Sequence, residues 1–180
     1  MKGFDRNNQL LSLCGLNCGL CPMFLGNYCG GCGKDNQSCK IAKCSLEHGK
    51  IEYCYECKQY PCDKYEHIDE YDSFITHRRQ KADLERAQSI GIDQYNLEQR
   101  EKMQILCHLL SNYNDGRRKN FYCVAVNLLE LYELQEAMKQ IQSNSELPTL
   151  SFKAQCTFVV DVLQKIADRR NLRLKLIKKK

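Results

Sequence analysis

Ten cysteines crowd between Cys14 and Cys62, and their spacing is the first chemistry the chain offers. They are Cys14, Cys18, Cys21, Cys29, Cys32, Cys39, Cys44, Cys54, Cys57 and Cys62; Cys107, Cys123 and Cys156 lie outside this stretch. Three Cys-x2-Cys pairs stand out, 18/21, 29/32 and 54/57. Two intervening residues let both sulfurs of a tight turn face one ion, the spacing that zinc ribbons and knuckles use. Gly33, directly after Cys32, suits the positive φ that a knuckle commonly needs there, and Gly30 and Gly31 keep side chains out of the turn. All ten cysteines are therefore candidate metal ligands, and zinc is the favoured ion.

Other chemistries compete for the same thiols. "CGLNCGLCP", Cys14 to Pro22, has the Cys-x3-Cys-x2-Cys spacing with which radical-forming iron–sulfur enzymes hold three irons of a four-iron cluster. That chemistry needs a βα barrel of about 200 residues, and the pattern beyond Cys62 is helical. An iron–sulfur cluster with an electron-transfer or redox-sensing role stays open as the alternative. An even count of ten would also allow disulfides. Against them, "MKGFDRNNQLLSL" has neither an apolar signal core nor a small-residue cleavage site, so a cytoplasmic location with reduced thiols is expected. His48 and His67 follow Cys44 and Cys62 closely enough to replace a thiolate, but surface histidine is the simpler reading of each.

The elements that must carry these residues differ along the chain. The cysteine-rich stretch has no sustained apolar period and reads as loops and turns that need cross-linking to fold. After Cys62 a weak helical period runs to His77, and a second short helix ends at Gly91. A clearer helix starts at Asn96, an N-cap with Gln99 three residues on, and runs through Met103, Leu106 and Leu110 to Tyr113. "NDG" at 114–116 predicts a turn. The next helix carries Phe121, Val124, Leu128 and Leu131 and continues to about Gln142. A break follows at Pro148, then a last helix with Phe152, Cys156, Val159, Leu163 and Ile166 on one stripe. The expected fold is mainly α: a loop-rich, knuckle-like metal module over 1–65, an antiparallel helical bundle over 66–168, and a basic tail over 169–180. Cys107, Cys123 and Cys156 fall on apolar stripes and read as small core residues. His108 beside Cys107 makes no catalytic pair, because adjacent helix positions point about 100° apart.

With those cysteines in view, the chain resembles an uncharacterised prokaryotic family, domain of unknown function 3795. The resemblance rests on "CGLNCGLCP", on "CGGC", on Cys39 with Cys44, and on "YCYECKQYPCDKY" from Tyr53 to Tyr65. It covers about residues 11 to 65. It implies that the chain binds zinc through these cysteines, and it implies no reaction.

Charge narrows the partners. The net charge is +5, but residues 169–180 hold seven basic residues and no acid, so the remaining 168 residues stand at −2. Four-thiolate zinc sites carry about −2 each, which would make the cysteine module acidic and nucleic acid an unlikely partner. The tail reads as a solvated end, with weak attachment to nucleic acid or acidic membrane as its alternative. Arg117, Arg118 and Lys119 are expected in the first turn of a helix, where free N–H groups and three cations form a candidate anion site; the alternative is a solvated basic turn. No apolar run approaches a membrane span. No nucleophile with an orienting base and no phosphate loop is present, so the expectation leans away from an enzyme and towards a structural metal-binding protein with a protein partner.

Overall fold

The computed structural model describes residues 2–34 and 38–179. Among them are seven α-helices, short 3₁₀ turns and no β-strand. The chain forms two compact units: one from Met1–Gln99 with Leu176–Lys180, the other from Arg100–Lys175. They do not divide where the cysteine density changes at residue 65.

The first unit holds α1 (Pro22–Leu25), α2 (Lys40–Glu47), α3 (Gln80–Ile90) and the start of α4 (Ile92–Asn112). Its core gathers Phe4, Leu11, Leu13, Tyr53 and Tyr65 from the cysteine-rich stretch with Leu84, Ala87 and Tyr95 from α3 and α4. Each such side chain contributes about 1.5–3 kcal/mol by leaving water. The cysteine stretch thus folds against helices rather than alone.

Two sequence expectations change here. Residues 66–79 form turns and no helix. The helix expected from Asn96 begins four residues earlier, because Gly91, at φ +83°, ends α3 and lets the chain restart at once. Asn96 does not cap; its side-chain oxygen accepts from Asn8 at 3.0 Å. The tail also departs from a loose end. The Ile177 N–H donates to the Asp72 carboxylate at 2.8 Å, and the Asp72 N–H donates to the Ile177 carbonyl at 2.7 Å.

The second unit contains the rest of α4, then α5 (Lys119–Leu128), α6 (Leu131–Gln142) and α7 (Phe152–Arg169). Seven consecutive residues of α5, Tyr122 to Leu128, are buried, so this helix is central rather than one-sided. The single helix expected from Phe121 to Gln142 is broken at Leu129, which is extended. Glu130 then starts α6 in a reciprocal capping box with Glu133, whose carboxylate accepts the Glu130 N–H at 2.7 Å. Buried Lys102 donates to the Leu129 carbonyl at 2.7 Å, placing a cation at the negative end of α5. Helix α7 closes with Asn171 at φ +54°, Leu172 N–H on Ala167 and Asn171 N–H on Asp168, a Schellman arrangement. Cys123 and Cys156 are buried as expected, but Cys107 is exposed. No helix among the described residues is long and apolar enough to cross a membrane.

Candidate metal centre

Four of the predicted ligands surround one cavity. Cys44 lies on α2, Cys54 opens a 3₁₀ turn, Cys57 ends it and Cys62 caps the next. Together with Ile41, Ser45, Ile51, Tyr60, Lys64 and Tyr65 they line a space of about 20 Å³, room for roughly one water-sized particle. The sequence sets this up locally. In a 3₁₀ turn residues three apart eclipse, so Cys54 and Cys57 share a side, and the Cys57 N–H closes the turn on the Cys54 carbonyl at 3.0 Å. The Cys54 N–H bonds the Leu13 carbonyl at 3.0 Å, anchoring that turn to the N-terminal loop. Burial pushes the Cys54 thiol up to about 12. The Tyr65 hydroxyl, buried beside Cys54, has no partner of regular hydrogen-bond geometry among the described residues. Cys44 is more open; its sulfur lies 3.5 Å from His48 Nδ1, and Lys64 counters the rise that desolvation gives its pKa.

A second group centres on Cys14. Its sulfur lies 3.3 Å from the Ser12 hydroxyl and 3.2 Å from Gln80 Nε2. Burial pushes the Cys14 thiol above its ordinary value; Ser12 opposes this, and the Cys32 and Cys39 thiols add to it. Burial pushes the Cys18 thiol up to about 12, and Cys39 accepts from the Ala42 N–H at 3.5 Å. These contacts are the kind that hold a thiolate once a metal has displaced its proton. Cys14 and Cys39 also line an open cleft of about 670 Å³ with Lys40, Lys64, His77 and Gln80.

The loop carrying Cys14 is fixed from behind by α3 and α4. Leu11 bridges Asn17, and the Ser12 hydroxyl accepts the Leu16 N–H at 2.7 Å. Gly15, at φ +93°, presses so close that a Cβ would lie 2.2 Å from the Gln80 carbonyl oxygen, so only glycine fits. Asn17 donates to Asp83 at 2.8 Å and accepts from the Tyr95 hydroxyl at 2.9 Å, both buried. Around the 29/32 turn, Gly31 and Gly33 take φ +88° and +102°, as the sequence suggested for Gly33. A Cβ on Gly33 would meet the backbone nitrogen of Arg6 at 2.8 Å.

The remaining candidates are placed as follows. Cys21 caps α1 and is half-buried; Cys29 accepts from the Gly31 N–H at 3.4 Å within its own loop. All thirteen cysteines are free thiols. Among the described residues no three or more His, Cys, Asp or Glu side chains stand in the geometry of a formed metal site. His67 is exposed and bonds Glu70 at 2.5 Å. His108 packs against Tyr113. Of the basic trio only Lys119 is helical; Arg118 caps α5 and Arg117 precedes it. Asn114 and Asp115 side chains take the Arg118 and Arg117 N–H groups, and Asp115 lies 3.5 Å from Arg118 Nε, so a carboxylate of the same turn already faces this cation. Ser12, Gln80, Lys64 and Tyr65 were not singled out by sequence, because nothing in the local pattern says that residue 80 returns to residue 14. Comparison of the chain with protein-family models, with curated proteins and with solved structures finds no match.

Proposed function

We propose that the N-terminal unit is a cysteine-ligated metal module that holds zinc in a structural role and presents a surface to a protein partner. The observation that carries this reading is the convergence of Cys44, Cys54, Cys57 and Cys62 on one small cavity. Its donor set suits a thiophilic ion. Burial disfavours a bare thiolate at Cys54, and a bound zinc would supply the positive charge that makes it stable as a ligand. Lys64, whose own pKa is raised by Asp63 first and then by the Cys44 and Cys62 thiols, adds a neighbouring cation. The resemblance to the cysteine-rich family points the same way. Tyr28, 77% exposed between Cys21 and Cys29, supports the surface role.

The second reading is an iron–sulfur protein. The hydrogen bonds to the sulfurs of Cys14 and Cys39 favour it, since such bonds tune cluster potentials. One experiment separates the two. Protein purified without oxygen is expected to be colourless with zinc as the only metal in elemental analysis. A brown sample containing iron and acid-labile sulfide replaces the first reading with the second, and metal-free protein that folds fully overturns both.

A further inference from the structure

The open cleft beside Cys14 is separate from the small cavity between Cys44, Cys54, Cys57 and Cys62. At about 670 Å³ it has the size of a small-molecule site, roughly 300–1,000 Å³. Leu16, Ile41 and Ile68 give it aliphatic wall, and its charged side chains are Lys40, Lys64 and Asp63. Two lysines and one aspartate sum to +1. The Asp63 side chain is 78% exposed and meets Lys64 at 3.2 Å, a surface pair that an incoming anion exchanges at little cost. Lys40 is the first residue of α2, so the positive end of that helix adds to the same field.

One polar group of the wall is left without a partner. Gln80, only 3% exposed, lines the cleft from the start of α3. Its amide has one orientation, because Nε2 donates to both the Cys14 carbonyl and the Cys14 sulfur, each at 3.2 Å. A flipped amide would set oxygen against that carbonyl. Oε1 is the end left over, buried and accepting no hydrogen bond among the described residues. Buried acceptors in folded proteins nearly always have a donor, so an open acceptor at a cleft wall marks a place for the N–H or O–H of a bound molecule. The surroundings are held firmly. The Gln80 N–H bonds the His77 carbonyl at 3.0 Å, and Gly15 sits against the Gln80 carbonyl as described above. The His77 ring, also at the cleft, has Nδ1 3.2 Å from the Ile68 carbonyl and Nε2 2.9 Å from the Ser73 hydroxyl.

We propose that this cleft binds a small organic acid, its carboxylate facing Lys40 and Lys64, an N–H or O–H donor on Gln80 Oε1, and a short aliphatic portion against Leu16, Ile41 and Ile68. One negative charge matches the +1 of the lysines and Asp63, whereas a phosphate monoester, at about −1.5 to −2 at pH 7, exceeds it. The donor sets specificity, since a molecule without it leaves the buried amide oxygen unpaired. The inference stands apart from the zinc reading and needs no metal. Ile41 and Lys64 line both spaces, so a ligand in the cleft lies beside the proposed metal cavity.

The probe is N-acetyl-leucine, which carries the carboxylate, the N–H and the aliphatic group together. It is titrated against the full-length protein as purified, with binding read by saturation-transfer NMR and metal content measured on the same sample. The acid is expected to bind. N-acetyl-leucinamide, which lacks the charge, and N-acetyl-N-methyl-leucine, which lacks the donor, are each expected to bind about tenfold more weakly. Lys40→Ala, a change at an exposed position, should weaken the acid several-fold. No binding of the acid overturns the proposal. Equal binding of the N-methyl compound overturns the role of Gln80, and equal binding of the amide or of inorganic phosphate overturns the class of ligand. Unchanged affinity in Lys40→Ala places the acid elsewhere and overturns the site. The ligand analogues need no altered chain, so the test survives a variant that misfolds. A sample without zinc that still binds the acid would sink the metal reading and leave this one standing.

Discussion

Tyr95 joins the candidate site to its helical support through a single hydroxyl, which donates to Asn17 while Asn17 donates to Asp83. Burial, followed by the Asp83 carboxylate, holds its pKa well above the ordinary tyrosine value of 10.0. In the unfolded chain Tyr95 ionises near that ordinary value, while in the folded chain it stays neutral to higher pH. A raised folded pKa means that the stabilising contribution is complete below pH 10 and is lost as pH rises, at up to about 1.4 kcal/mol per pH unit for one group. Denaturant unfolding of the zinc-loaded protein, followed by alkylation of the cysteines of residues 14–62, is expected to shift to lower denaturant between pH 10 and 11. Tyr95→Phe should flatten that shift by about one proton's worth. An equal slope in the variant would place the alkaline loss on other tyrosines. At this scale the positive φ of Gly33 was legible in the sequence. Which thiols meet was not, because a sequence interval fixes how far apart two residues lie along the chain and leaves open which loops fold onto each other. Cys107 shows the same limit: its apolar stripe was real in the sequence, yet the position ends exposed.

The helices were read well where a turn residue or a long stripe marked them, as at "NDG" and along α7. The break between α5 and α6 escaped because apolar residues run straight through Leu128, Leu129 and Leu131 with no glycine or proline between them. Its mark is the pair Glu130 and Glu133, a capping box without the usual serine or threonine. Glu133 also receives Arg170 at 2.8 Å and is buried. Glu133→Ala is therefore expected to cost about 1–3 kcal/mol by leaving the Glu130 N–H and the Arg170 guanidinium short of their partner. Glu133→Gln, which keeps the cap and loses the charge, should cost less. Thermal unfolding of the two variants checks the order; equal losses would mean that the cap contributes nothing. Residues 66–79 were misread for the opposite reason. Tyr65, Ile68 and Ile75 mimic a helical period, but Tyr65 serves the core and the Asp72 carboxylate binds the His77 N–H at 2.8 Å, closing a turn.

For the molecule as a whole, each unit has its own buried core, and the metal is proposed for one of them. Chelation under reducing conditions is expected to strip hydrogen-exchange protection from residues 14–62 while α5, α6 and α7 keep theirs, since the latter rest on packed apolar side chains. Protection that survives verified metal removal in 14–62 would mean that the core around Leu11, Leu13 and Leu84 holds that stretch unaided. The mainly helical character was legible at this scale. The division into units was not, because cysteine density marks where thiols are concentrated, and the core that supports them is completed by α3 and α4.

The contact between Asp72 and Ile177 also has a timing. Residues 100–175 are an excursion from a unit that begins before them and is completed after them. On the ribosome the ten clustered thiols emerge first, and at 5–20 residues per second the chain takes roughly ten seconds more to deliver Ile177. During that interval the nascent cysteines are exposed to oxidants and stray metals before the carboxylate of Asp72 has its last backbone partner. If the unit binds zinc as proposed, loading during synthesis would shield these thiols until Ile177 arrives.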